Sequence, residues 1–351
     1  SKGFQHGPVK RPAPDQPCLV EQQLKELGEK SGVFSADFSQ DAIAVLTKEN
    51  LAKYDAVFFY TTGSLLPAGE PREALLDFVK SGKGFIGTHS STDTFHDFKG
   101  YTALINGRFA GHPWGSGTQC SFVNHEPEHP VVKMLGGDFQ WKDEIYQYND
   151  YDPKAVRVLY SLDMVKTNPK RPYLVPVCWV RDYGTGRLFY TNLGHNEATW
   201  KDAKFHDHLL AGIKWATKLI DGPATPNPEV QQVEHNKAVL AYAASLEGKS
   251  IIGSSKMDVD ALLKDWSAKK SDRSTSNRPI YYHSRDVSVI VYYRNDKADG
   301  VSVMDRPGAG VNSISQNRFD ELVKLIGQKP MPNDIKRDTT GIHEFHIGKA
   351  E

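Results

Sequence analysis

The apolar residues of this chain come in short blocks whose spacing changes along its length. Ala56–Tyr60 and Gly84–Thr88 are unbroken, largely apolar runs, the pattern of strands covered on both faces. Between them, Pro71–Lys80 repeats its apolar side chains at helical intervals and stops at Ser81 and Gly82. The stretch 56–88 therefore predicts a strand, helix, strand unit, and hence parallel pairing under helical cover. An earlier helix over Cys18–Lys30 leads through Ser31 and Gly32 to a short strand at Val33–Asp37. From about 118 to 194 the character changes: Ala155–Tyr160, Val175–Val180 and Arg187–Thr191 follow one another through turns such as Tyr183–Gly186, with no helix between them. That pattern predicts antiparallel strands extending the sheet, and a helix over about Phe205–Leu219 covers it.

Asp221–Pro228, with its glycine and prolines, stops that helix and marks a boundary. The expected organisation is one domain over 1–221 and a C-terminal α+β extension over 222–351. In the extension, 229–249 and Met257–Ala268 read as helices and Lys269–Arg278 as loose. Ile280–His283 and Val287–Tyr293 read as a strand pair.

Composition narrows the partner more than the fold. Hydrophobic residues make up 39% and charged residues 25%, and 43 Lys and Arg balance 43 Asp and Glu, so no overall field recruits a polyanion. Nucleic acid and membrane are not expected as partners; a small-molecule carbohydrate and a second copy of the chain are. No apolar run approaches the ~20 residues of a membrane span, and the compartment stays open between cytoplasm and periplasm. Cys18, Cys120 and Cys178 lie far apart, without metal-type spacing, and read as free thiols.

Candidate chemistry sits at strand ends. His89 follows Gly84–Thr88 where a nucleophile-elbow enzyme would carry Ser or Cys, with Ser90, Ser91 and Asp93 behind it; helix capping by those residues is the plain alternative. His112 lies at a turn before Pro113 and can hold a substrate hydroxyl, move a proton or bind metal, or simply bond a loop carbonyl. His125 and His129 are four apart, but Pro127 breaks the helix that would put them on one face. In Asp143–Tyr146, strand-like alternation sends Glu144 and Tyr146 to one face and Asp143 to the other, pairing a carboxylate with a phenol. His195 follows Phe189–Gly194 at the end of another apolar strand. His206 and His208, two apart on a helix, are assigned to the surface. Trp114, Trp141, Tyr148, Tyr183 and Trp200 offer rings on which a sugar could stack, and core packing explains such rings equally well.

The order Gly84–Ser90, Ile105–Pro113, His129–Pro130, Asp143–Tyr146, Tyr183–Tyr190 and Leu193–His195 resembles the trehalose-utilisation (ThuA-like) family, over about residues 3–219. The family is a relative of the class I glutamine amidotransferases without their cysteine nucleophile. The resemblance implies a flavodoxin-like three-layer α/β/α sandwich, with a mostly parallel sheet and an antiparallel extension, and a role in carbohydrate metabolism. It also implies a strand immediately before Gly3–His6, where only Ser1 and Lys2 stand here. The leading expectation is acid/base chemistry on a sugar or keto-sugar by His89, Glu144 and His195. Substrate contacts would come from His6, Asp93, Arg108, His112, Trp114 and Tyr146. The alternatives are a hydrolase using a divalent metal such as zinc, held by His89, His112, His129, His195 and Glu144, and a non-catalytic sugar-binding or assembly protein.

Overall fold

A computed structural model of the chain describes residues 1–167, 175–234, 237, 250–264, 266–270, 279–284, 287–305, 314–328, 330, 334–338 and 341–348. They fall into two compact units, one within 1–236 and one within 237–351.

The first unit is built on a seven-stranded sheet. In chain order its elements are α1 (Leu19–Ser31), β1 (Ala56–Phe59), α2 (Glu70–Lys80), β2 (Gly84–Thr88), α3 (Lys99–Ile105), β3 (Arg108–Phe109), β4 (Gln119–Asn124), β5 (Phe139–Lys142), β6 (Tyr148–Asn149), β7 (Arg157–Leu162), β8 (Pro176–Tyr183), β9 (Gly186–Thr191) and α4 (Ala203–Ala216), with short helical turns between. The spatial order is β1-β2-β9-β8-β7-β4-β5, while β3 and β6 pair separately. β1 with β2 and β2 with β9 are parallel; the four remaining pairings are antiparallel. This is the expected three-layer fold class, with the antiparallel extension supplying the larger share of the sheet.

Alternation along β9 explains the layers. Leu188 and Tyr190 join Phe85 in a core with Leu75 and Val79 of α2 and Tyr101 and Leu104 of α3. Phe189 faces the opposite layer, where a Cβ at Gly212 of α4 would overlap its ring. Gly212 therefore sets how closely helix and sheet approach. Val33–Asp37 forms no strand.

The expected boundary at Asp221–Pro228 falls inside the first unit. The Asn227 carboxamide accepts from Val158 N at 2.8 Å and donates to Val158 O at 3.0 Å, as a neighbouring strand would. Gln231 bonds Tyr151 and Pro153. These side chains tie the segment to β7 although its backbone cannot continue the preceding helix.

The second unit is an antiparallel sheet in the order β10-β11-β12-β13-β15-β14. Its strands are β10 (Ser267–Lys270), β11 (Ile280–His283), β12 (Val287–Arg294), β13 (Lys297–Asp305), β14 (Ile335–Asp338) and β15 (Gly341–Gly348), accompanied by α5 (Lys256–Leu262) and α6 (Gln316–Ile326). Val289, Val291, Val301, Val303 and Phe345 form its core with Phe319, Leu322 and Leu325 of α6. β11 and β12 pair as their sequences suggest. The helix expected over Met257–Ala268 ends at Leu262, because Ser267 and Ala268 pair with His283 and Tyr282 instead. Of the helix expected over 229–249, residues 229–234 are helical; 235–236 and 238–249, like 271–278, lie outside the described residues. Among the described residues no helix is long and apolar enough to cross a membrane.

Candidate active site

β1, β2 and β9 run parallel, so their C-terminal ends share one edge, the edge at which open α/β sheets place ligands. His89 leaves β2 there with φ at +41°, a left-handed conformation that costs an L-residue free energy and marks a tightly determined turn. Its ring is fully buried. Nδ1 lies 2.9 Å from the Asn192 carbonyl oxygen, which can only accept; Nδ1 therefore carries the proton and Nε2 presents a lone pair. β9 leads through Asn192 and Gly194, the latter at φ +125°, to His195.

Asp143 fixes this loop. Its Oδ1 accepts from Glu144 N (3.0 Å) and Asn196 N (2.9 Å), and its Oδ2 from Gly194 N (2.8 Å) and Thr199 Oγ1 (2.9 Å). Burial pushes the Asp143 carboxyl above the usual range, and these four donors pull it back. With Asp143 turned to the loop, Glu144 and Tyr146 reach the other way. Glu144 Oε1 lies 3.1 Å from His195 Nδ1 and 3.7 Å from His89 Nε2, while Oε2 lies 3.4 Å from His112 Nδ1. His195 Nδ1 is also 3.2 Å from His89 Nε2. We assign its proton to Glu144, since a carboxylate is the stronger acceptor.

His6 completes the cluster from the N-terminal segment, which is held where the amides of Lys2 and Gly3 donate to Thr62 O and Thr62 Oγ1 donates to Phe4 O. Its ring is 4.8 Å from that of His89 and 5.3 Å from that of His195, and its Nε2 is 3.1 Å from Tyr146 OH. His6 Nδ1 has no hydrogen-bond partner. Burial, then the neighbouring His195, lowers His6 to about 4. Burial, then His6 and His195, holds His89 well below the ordinary imidazole range. Burial acts the same way on His195, but the hydrogen bond and charge of Glu144 outweigh it and raise the group. Of the three imidazoles, His195 is therefore the one whose protonated form the cluster favours. Burial, then Glu144, keeps the Tyr146 phenol protonated by raising it.

His112, with about half its side chain exposed, and His195, about a quarter exposed, are the outward members; His89 is the inward one. Several expected contacts are engaged elsewhere. Asp93 pairs with His96 at 2.8 Å, and Arg108 pairs with Asp150 at 2.8 Å. Trp114 is buried, bridged through its backbone to Ile145, and its Nε1 has no partner. Trp200 stacks on Tyr60 inside the protein and donates to Gly194 O, so it supports the loop rather than a sugar. His129 is a correction to the metal alternative. Its Nε2 faces Pro223 O and its Nδ1 accepts from Val131 N, so both ring nitrogens are used away from the cluster. His208 is a second correction: it is fully buried, with Nδ1 on Val131 O and Nε2 near Tyr160 OH.

Two organisers escaped sequence reasoning. Asn192 holds His89 through its carbonyl and the Tyr146 amide through Oδ1 at 3.2 Å. In the sequence Asp143 is marked only by lying on the strand face opposite Glu144. A polar residue wedged between an apolar strand and Gly194 was the available signal for Asn192.

The family model described as trehalose utilisation (ThuA) matches residues 14–216. A ThuA-like protein of Bacteroides uniformis ATCC 8492 is similar at 21% identity and a TM-score of 0.49, over 60% of this chain and 88% of its own. Another, from Parabacteroides merdae ATCC 43184, gives 21% identity and a TM-score of 0.48, over 60% of this chain and 92% of its own. No curated protein matches.

Proposed function

The chain belongs to the ThuA trehalose-utilisation family, and hence to carbohydrate metabolism; from that premise we propose that it is an enzyme acting on a keto-sugar or keto-glycoside through a His195–Glu144 proton-transfer pair. The observation that carries this reading is His195 Nδ1 at 3.1 Å from the Glu144 carboxylate, with the ring partly exposed. A carboxylate on one ring nitrogen orients the imidazole and raises its basicity, leaving Nε2 to exchange a proton with substrate. His89, neutral and locked by Asn192, backs the pair as a second base, and the protonated Tyr146 phenol and His112 can orient substrate oxygens.

A ketone acidifies the neighbouring ring C–H. Removal of that proton by an imidazole forms an enolate, whose oxygen can take a hydrogen bond from the phenol. Return of the proton to a departing oxygen completes an elimination; return to carbon completes an isomerisation. Thioester chemistry on glutamine finds no support, because the elbow carries His89 and the three cysteines are buried, with Cys120 raised to about 12.

The test is exchange of the carbon-bound proton for deuterium in keto-disaccharides, followed by NMR in heavy water together with product formation. Glu144→Gln should slow exchange by about 100-fold or more, in the range of general acid/base contributions. Exchange that is absent with every keto-sugar tried, or unchanged in Glu144→Gln, would refute the reading.

A further inference from the structure

We propose that His89, Glu144 and His195, with His6 as fourth donor, form a binding site for a divalent transition-metal ion of the zinc type. Three donor atoms define its base: His89 Nε2, His195 Nδ1 and Glu144 Oε1, separated by 3.2, 3.1 and 3.7 Å. Metal bonds of 2.0–2.2 Å in tetrahedral geometry put neighbouring donors roughly 3.3–3.6 Å apart. The triangle is thus of coordination size without rearrangement of the backbone. The donor atoms of all four residues lie within 4.8 Å of one another, so His6 needs only a small side-chain shift to join.

Hydrogen bonding alone does not satisfy this arrangement. His89 Nε2 is committed as an acceptor by the bond from its Nδ1 to Asn192 O, and the Glu144 carboxylate is an acceptor as well. Both face the one proton of His195 Nδ1, and His6 Nδ1, on a side chain over nine-tenths buried, has no hydrogen-bond partner. A cation converts these competing lone pairs into ligands. The surroundings are those of a metal site: His89 donates its other nitrogen to a backbone carbonyl, which fixes ring and tautomer. Glu144 is held from behind by its amide on Asp143. Three imidazoles and one carboxylate favour zinc or a neighbouring transition ion over magnesium or calcium, which prefer oxygen. This ligand set differs from the sequence-based one by gaining His6 and losing His129, with His112 left on the outer oxygen of Glu144.

The site is an alternative state of the residues in the proposed function, since His195 bound through Nδ1 would carry its proton on Nε2 and could not also serve as the base. It rests on that reading only for the substrate, a keto-sugar oxygen that would enter as an additional ligand. Metal binding is measured without any sugar. The whole chain is stripped with a chelator and titrated with zinc chloride by calorimetry; a second sample is loaded with cobalt(II) and its visible spectrum recorded. The expected result is one zinc per chain and a cobalt ligand-field band. Glu144→Gln, which keeps the shape of the side chain, and His89→Ala should each weaken zinc by more than about 100-fold, beyond what loss of a supporting residue costs. His96→Ala, at an exposed imidazole outside the cluster, should leave it unchanged. Substoichiometric zinc, or equal affinity in wild type and Glu144→Gln, overturns the site. A chain that binds zinc but exchanges no keto-sugar proton keeps this site and loses the proposed reaction. A chain that turns over keto-sugar in chelator and binds no zinc does the reverse.

Discussion

Replacing Asp143 with Asn separates the support of the site from its chemistry. The carboxylate accepts four hydrogen bonds, two per oxygen. An amide NH2 in place of Oδ1 would confront two backbone N–H groups, those of Glu144 and Asn196. In place of Oδ2 it would confront only that of Gly194, because the Thr199 hydroxyl can rotate and accept. The second orientation is therefore the cheaper, and it loses one bond outright and charge assistance in the rest. Hydrogen bonds to charged groups contribute about 1.5–3 kcal/mol each. Release of a buried charge offsets part of the loss, since burial raises this carboxyl. The net destabilisation should be about 2–4 kcal/mol, or a Tm lowered by roughly 5–15 °C for a unit of this size. Melting followed by circular dichroism at neutral pH reads it. Because the Gly194–Asn196 loop carries His195, the 3.1 Å contact with Glu144 should loosen too, and turnover should fall through kcat rather than KM. Thr199→Val leaves Asp143 its three backbone donors but removes two bonds, the one to Asp143 and the one its Oγ1 accepts from Trp141 Nε1, and serves as a comparison at about 1–3 kcal/mol. A Tm within a degree of wild type and unaltered turnover in Asp143→Asn would refute the role given to this carboxylate.

Acid should destabilise the first unit in part through a buried histidine outside the site. His208 is fully buried and lowered to about 4, so the unfolded chain takes up a proton that the folded one refuses. Its contribution is present above about 6.5 and is lost as pH falls toward 4, in total roughly 3 kcal/mol. Urea unfolding across that window should show the decline, to which His6 and His89, also lowered by burial, add their own share, and His208→Gln should make it shallower by the share of His208; an equal slope in both proteins would contradict the assignment. Gly212→Ala should cost about 1–3 kcal/mol by forcing α4 off the Phe189 ring, read as a lower urea midpoint at constant m-value. An unchanged midpoint would mean the helix is free to shift. Tyr146→Phe removes only the hydroxyl bonded to His6, so its effect should fall on substrate turnover with folding retained; unaltered kinetics would dismiss the phenol as a substrate contact.

Parts of this architecture were legible because local pattern and tertiary role agree. Gly84–Thr88 and Arg187–Thr191 are apolar runs and become the adjacent parallel strands β2 and β9, and their ends deliver His89 and His195 to one edge. Alternation in Asp143–Tyr146 correctly separated the two carboxylates, although the segment is not a regular strand. Other parts depend on atoms that residue type does not advertise. Asn192 acts on His89 through a backbone carbonyl, which any residue supplies. Ser267–Lys270 is a strand because β11 pairs with it, not because of its own spacing. His208 was readable after all: Phe205, His208, Leu209 and Gly212 form the buried i, i+3, i+4, i+7 stripe of α4, and position on that stripe outweighs the polarity of the ring.

The clustered groups stand at positions 6, 89, 144 and 195, each on a different segment and none able to meet another through local structure. Closing such separations carries a loop-entropy cost that is recovered only once the whole sheet has paired. Biological competence should therefore return late when the denatured chain is diluted into buffer, after secondary structure has recovered, so that the lag between the two signals times the last docking event of the first unit.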